Sequence, residues 1–127
     1  MTIGTLAKAA GVNVETIRYY QRCDLMPEPE KPYGGIRQYD ERALSRLHFI
    51  RSAQWLGFSL KEVGELLRLD DGTHCDEARG LGESKLLEVR AKIRGLRQIE
   101  KVLDGMVRSC LSQSNITCPM IASLYRD

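Results

Sequence analysis

Four cysteines, at positions 23, 75, 110 and 118, are the side chains of this sequence with the most chemistry to offer. They form no Cys-X-X-Cys pair and lack the dense spacing of a secreted disulfide scaffold, so in a reducing compartment their roles are packing, metal binding or redox sensing. Cys75 and Cys110 lie 35 residues apart, five heptads, and share one heptad position on a long coiled-coil helix that carries both. At 1.5 Å per residue a continuous helix would hold them roughly 52 Å apart, too far to share one ion within a chain. An antiparallel pair of such helices crossing near residues 92 and 93 sets Cys75 of one chain opposite Cys110 of the other and builds two equivalent sites. Cys118 follows after a short loop that can fold back to the same place, and beside Pro119 it stands at a helix N-terminus, where the dipole favours thiolate. Three thiolates then converge, one from one chain and two from the other.

Three sulfur ligands suit a soft, thiophilic ion tolerant of low coordination, whereas structural zinc takes four ligands. His74 adjoins Cys75 but projects from the next position around the helix, and is read as a capping or supporting residue. Taken singly, Cys75 and Cys110 would pass for small apolar residues of a helical seam; Cys118 in a polar tail would not. Cys23 has no Cys or His close in sequence and receives no role, and His48 reads as an ordinary mid-helix residue. No Ser-His-Asp arrangement, phosphate loop or paired-carboxylate motif is present, which argues against an enzyme.

A second set of candidates is basic and aromatic. Thr16, Arg18, Tyr19 and Arg22 share one broad face of a short helix, Lys31, Tyr33, Arg37 and Tyr39 crowd the stretch after it, and Lys61 opens a later helix. Cations here would fix a register on DNA phosphates while one or two helix side chains reach base edges. For any one of these residues the alternative is a solvated surface, or a tyrosine packed on the core.

The elements that must hold these groups are legible from caps and periodicity. Thr2 caps a helix from Ile3 to about Ala10 that Gly11 stops, and Asn13 caps a second from Val14 to about Arg22. Two short helices around a glycine-containing turn have the layout of a helix-turn-helix. Met26 to Tyr39, with Pro27, Pro29, Pro32 and Gly34-Gly35, suggests a small β-hairpin wing. Asp40 precedes a third helix from Glu41 to Leu56 with Ala43, Leu47, Ile50 and Trp55 turned inward, and the capping box Ser59-Leu60-Lys61-Glu62 starts a fourth that ends near Leu69. After Asp70-Asp71-Gly72, apolar residues recur in steps near three and four from Leu86 through Val89, Ile93, Leu96, Ile99 and Leu103 to Cys110, one long helix from about His74 to Leu111. A single such stripe cannot be buried against a short tail, so a homodimeric coiled coil is the economical solution. Gly80, Gly82, Gly95 and Gly105 each cost the helix about 1 kcal/mol relative to Ala and could mark bends or close contacts. Cys118-Pro119 opens a short terminal helix.

The fold class is therefore mainly α: a winged helix-turn-helix over residues 1–69, a hinge at 70–73, an antiparallel dimerisation helix over 74–111, and a metal-binding loop with a short helix over 112–127. With 127 residues the chain has no room for a large multidomain enzyme, and 19 Lys and Arg against 17 Asp and Glu give a net charge of only +2, so any nucleic-acid patch must be local. An apolar fraction of 43% beside 28% charged residues belongs to a soluble globular protein. No apolar run reaches membrane-spanning length, and Lys8 interrupts the N-terminal stretch without a cleavage pattern, so the expectation is a cytoplasmic protein with no membrane partner.

The run Leu6-Ala7-Lys8-Ala9-Ala10-Gly11-Val12, then Thr16-Ile17-Arg18-Tyr19-Tyr20, Arg37-Gln38-Tyr39 and Leu56-Gly57-Phe58-Ser59-Leu60, resembles the DNA-binding half of the MerR family. Asp71-Gly72-Thr73-His74-Cys75 and Cys118-Pro119-Met120-Ile121-Ala122-Ser123-Leu124 resemble its mercury-responsive founding member, so the resemblance spans essentially the whole chain. It implies a dimer on double-stranded promoter DNA whose spacer is too long for efficient RNA polymerase engagement. Such a regulator represses without metal. Mercuric ion held by Cys75 of one subunit with Cys110 and Cys118 of the other then shifts the domains, unwinds and bends the DNA and activates transcription.

Two positions depart from the family pattern. Asp24 stands where glycine is common, and Asp tolerates the left-handed conformation better than most residues. The loop between Cys110 and Cys118 is one residue shorter than in the mercury sensors, and cadmium and lead sensors of the family vary in this loop. The alternatives are a cadmium- or lead-responsive regulator of this family, a thiol redox-sensing regulator, and a thiol metal buffer or carrier. The helix-turn-helix argues against a carrier, and an odd third thiol argues against a disulfide switch.

Overall fold

The computed structural model describes residues 1–112 and 118–125. Six helices follow one another: α1 (Ile3–Ala10), α2 (Val14–Arg22), α3 (Glu41–Trp55), α4 (Leu60–Arg68), α5 (Cys75–Ser112) and α6 (Pro119–Ser123), with no β-strand among the described residues. They belong to two compact units, Met1–Gly82 and Glu83–Asp127, so the division by packing falls within α5 rather than at the 70–73 turn.

In the first unit each of the four short helices begins on a side-chain cap. Thr2 accepts from the Thr5 amide, Asn13 Oδ1 from the Thr16 amide at 2.8 Å, and Asp40 Oδ1 from the Ala43 amide at 3.1 Å. At α4 the box closes in both directions, with the Glu62 amide donating to Ser59 Oγ at 3.2 Å and the Ser59 amide to Glu62 Oε1 at 2.8 Å. Each cap satisfies amides that the first helical turn leaves open, a contribution of about 1 kcal/mol apiece. Gly11 ends α1 at φ 71°, a left-handed conformation that glycine adopts without a Cβ clash.

Between these helices Leu6, Ile17, Leu47, Ile50 and Val63 are completely buried, drawn from all four helices. Tyr20 joins this core and donates its hydroxyl to Gln54 Oε1 at 2.6 Å, tying α2 to α3. Trp55 corrects one expectation, since it is 85% exposed while Ala43, Leu47, Ile50 and Ala53 form the buried stripe of α3. At roughly 100° per residue, position 55 lies on the far side of the helix from that stripe.

The segment between α2 and α3 also differs from the expected hairpin wing. Asp24 takes φ 59°, the left-handed value its position demands. Leu25 and Met26 then drop into the core, and Gly34, at φ 66°, turns the chain so that the Gly35 amide donates to Pro32 O at 2.9 Å. No ladder joins the two arms. Pro27, Pro29 and Pro32 contribute no amide hydrogens, and a side chain takes over: Arg37 Nε donates to Pro29 O at 3.0 Å while its Nη2 pairs with Glu28 Oε1 at 2.9 Å.

The second unit is dominated by α5, which runs unbroken through Gly80, Gly82, Gly95 and Gly105 although a Cβ at any of the four would meet open space. Leu86, Leu96, Ile99, Leu103 and Val107 remain exposed along it. The loop of the expected metal-binding tail, 113–117, lies outside the described residues. None of the helices among the described residues is long and apolar enough to cross a membrane.

Candidate nucleic-acid interface and metal centre

The cations of α2 and of the segment after it meet across an open groove of about 780 Å³. Arg18 and Arg22 from α2 and Lys31, Arg37 and Tyr39 from the following segment line it, with the carboxylates of Asp24 and Glu28 among them. Arg18 is presented because Ile17 and Tyr20 bury the opposite face of α2. Its Nη1 rests on Glu15 Oε1 at 3.0 Å, and Arg22 lies 5.7 Å from the ring centroid of Tyr19, which itself stays exposed. Both arginine pairs, Arg18–Glu15 and Arg37–Glu28, are solvent-exposed and so weakly held. A phosphate can replace either carboxylate with equal geometry and no burial cost.

Tyr39 differs from its neighbours in the groove. Only 5% of it is exposed, its amide and carbonyl bond the Met1 carbonyl and the Met1 amino group, and its hydroxyl accepts from Gln21 Nε2 at 2.8 Å. It locks the start of the chain to α2 and to the entrance of α3, so that its hydroxyl faces the groove only together with Gln21. Thr16 donates its hydroxyl to Asn13 Oδ1 at 2.9 Å, and Tyr33 stands fully exposed on the turn. Neither lines the groove. Lys61 lies elsewhere, in a separate depression of about 380 Å³ with Arg46, Arg68 and Cys23. Arg46, absent from the sequence reading, donates from Nε to Leu25 O at 2.6 Å and anchors the exit from α2; no local pattern marks a contact over 21 residues.

Of the cysteines, 110 and 118 come together. Their sulfurs are 3.3 Å apart, both half-buried, with Cys110 in the last turns of α5 and Cys118 preceding α6. Pro119 at the first position of α6 starts that helix without needing an amide hydrogen, which leaves Cys118 at its N-cap. Without closing a full capping bond, the Ile121 amide holds Cys118 below the ordinary thiol range, helped by the Cys110 thiol. The same sulfur-to-sulfur hydrogen bond pushes Cys110 above its ordinary value. Of the two, Cys118 is thus the readier to lose its proton.

Cys75 opens α5 and is exposed. Before it, Asp71 Oδ1 accepts from the Thr73 amide and hydroxyl, each at 2.9 Å, and pairs with His74 Nδ1 at 2.8 Å. The Thr73 amide and the His74 contact bring the Asp71 carboxyl down to about 2, and Asp71 in turn raises His74. His74 therefore braces the turn ahead of Cys75. Among the described residues, no group of three His, Cys, Asp or Glu side chains that could hold a metal comes together within the chain. Cys23 is exposed and separate from the other thiols in sequence and in the residues it lines a depression with.

Comparisons with known proteins match both halves of this architecture. The family model described as "MerR HTH family regulatory protein" matches residues 1–70, and that described as "MerR, DNA binding" matches residues 44–106. A mercuric resistance operon regulatory protein of Serratia marcescens is 60% identical over 128 residues, covering 100% of this chain and 89% of that one. The regulator ZntR of Escherichia coli is 39% identical, over 96% of this chain and 90% of its own length. Among solved structures, the transcription regulator PbrR691 of Ralstonia metallidurans in complex with lead(II) superposes with a TM-score of 0.81 at 37% identity, covering 98% of each chain. With a family model over residues 1–70, a second over 44–106 and a relative 60% identical along the whole chain, the chain belongs to the MerR family of transcriptional regulators.

Proposed function

We propose that this chain is a mercury(II)-responsive transcriptional regulator of a resistance promoter, acting in the cytoplasm as a homodimer with RNA polymerase as its partner on double-stranded DNA. The observation that carries the metal reading is the pair of half-buried thiols at Cys110 and Cys118, 3.3 Å apart at the end of α5. Sulfur donors of this kind suit a soft cation. Cys75 of the partner subunit is the third ligand, since five heptads of helix separate it from Cys110 in its own chain. The uncovered apolar residues of α5 support the dimer, because a stripe of Leu96, Ile99 and Leu103 left in water is stabilised by a second copy of itself. Without metal the dimer represses; with metal it distorts the promoter and activates it.

The test is a pair of measurements. In a reporter strain Cys23→Ser stays inducible, while Cys75→Ser, Cys110→Ser and Cys118→Ser each lose induction yet still repress. In a co-refolded heterodimer of Cys75→Ser with Cys110→Ser, both defects fall on one site and the other is intact. Mercury binding near one ion per dimer, measured against a competing thiol, supports the shared site. A folded heterodimer with no recovered binding refutes it. Lead is the second reading, favoured by the structural similarity to a lead(II) complex. Induction by lead at concentrations where mercury is silent would establish that order instead.

A further inference from the structure

We propose that Cys110 and Cys118 close into a reversible intrachain disulfide under hydrogen peroxide, making the end of α5 a redox site as well as a ligand pair. The geometry is the argument. Two sulfurs bound to one tetrahedral metal at about 2.3 Å stand roughly 3.8 Å apart. This pair is closer, at 3.3 Å. A disulfide needs about 2.05 Å, so the sulfurs must approach by roughly 1.3 Å, within the reach of small side-chain rotations. One thiol precedes a five-residue helix and the other ends a long one, so the short element can follow the bond.

The chemistry balances with the peroxide as sole oxidant. One sulfur attacks a peroxide oxygen, the O–O bond breaks, water leaves, and a sulfenic acid forms. The neighbouring sulfur attacks that sulfenic sulfur, the S–O bond breaks, and a second water leaves as the S–S bond forms. Two thiols lose two hydrogens and one peroxide becomes two waters. Cys75 of the same chain, at the other end of α5, is too far away to take part. The third thiol therefore does not prevent a disulfide switch, which removes the objection that the sequence alone raises.

The consequence rests on the proposed metal function: oxidation withdraws two of three ligands while the groove of Arg18 and Arg37, in the first unit, is unchanged. The dimer then stays on its operator but ignores metal. The disulfide itself does not depend on that reading.

The experiment uses the full-length reduced protein, hydrogen peroxide and alkylation of the remaining thiols, read by intact and peptide mass spectrometry. The expected result is loss of two of the four alkylatable thiols, a linked peptide joining Cys110 to Cys118, and full return of both thiols with dithiothreitol. Mixing isotopically labelled with unlabelled chains before oxidation gives linked peptides of unmixed label if the bond lies within one chain. Cys110→Ser, or Cys110→Ala if the serine variant folds poorly, stops at a sulfenic acid on Cys118. Linkage through Cys75 or Cys23, mixed-label peptides, or four thiols still alkylated at a dose that sulfenylates Cys118 in the Cys110 variant would each overturn the proposal. If the disulfide forms but the reduced protein binds no mercury, the metal reading fails and this one stands.

Discussion

The first unit of the molecule closes on itself and the second does not. In Met1–Gly82 four short helices bury five side chains completely and begin on four side-chain caps. In Glu83–Asp127 one long helix carries its apolar residues in the open, with Leu96 64% and Leu103 45% exposed. The contrast teaches that one half of the chain is packed to completion by its own residues, whereas the other leaves its apolar face uncovered within the chain. The close thiol pair Cys110–Cys118 lies in the unit with the uncovered face, and Cys75 lies in the packed one.

The largest effect that separates the two units is on metal response. Replacing Cys118 with Ser removes the sulfur that faces Cys110, so induction in a reporter assay falls to the repressed level while operator binding in a gel shift is retained. Operator binding lost together with induction would show that the two units are not separable in function.

Next in size are paired core variants. Leu47→Ala opens a cavity in a fully buried site and lowers stability by about 3 kcal/mol. Denaturation midpoints for this variant fall equally at all protein concentrations. Leu103→Asp places a charge on the uncovered stripe, and sedimentation shows monomer at concentrations where the parent is dimeric, with helicity of the first unit preserved. A concentration-independent loss in Leu103→Asp would break the comparison, because α5 would then be finished within its own chain.

Smaller effects distinguish residues within the groove. Arg18→Ala weakens operator binding by about 1–3 kcal/mol if it reads a base edge, and Arg37→Ala lowers the salt slope by about 0.9 for the phosphate it neutralises. Tyr39→Phe deletes the hydroxyl that accepts from Gln21, and weakens operator binding together with stability by about 1 kcal/mol through loss of that buried bond. Affinity titrations at several salt concentrations separate the three.

The smallest effect lies in the turn before Cys75. Asp71 raises His74 above its ordinary 6.5, so this pairing contributes fully below about pH 6.5 and is lost as pH rises through the elevated value. Asp71, lowered to about 2, contributes above its ordinary 3.8 and loses that contribution as pH falls through about 2. Following the His74 imidazole by NMR gives a midpoint above the usual histidine range, and Asp71→Asn returns it there.

The helix starts, which depend on contacts three or four residues apart, could be read directly from the chain. Thr2, Asn13, Asp40 and Ser59 mark helix starts because a cap bonds an amide within its own first turn, and Pro119 marks another because a fixed φ suits that place. The common heptad position of Cys75 and Cys110 is arithmetic on a seven-residue repeat. Contacts between distant segments could not be read this way. Whether prolines 27, 29 and 32 end in a ladder or a cross-link depends on Arg37 reaching Glu28 and Pro29, and Tyr39 is buried only because Met1 and Gln21 arrive beside it. Trp55 points outward because packing against α1 and α4 chose the stripe through Leu47 and Ile50. The short spacing from Cys110 to Cys118 allowed the two thiols to meet, but the 3.3 Å approach itself depends on how the chain returns α6 to the end of α5.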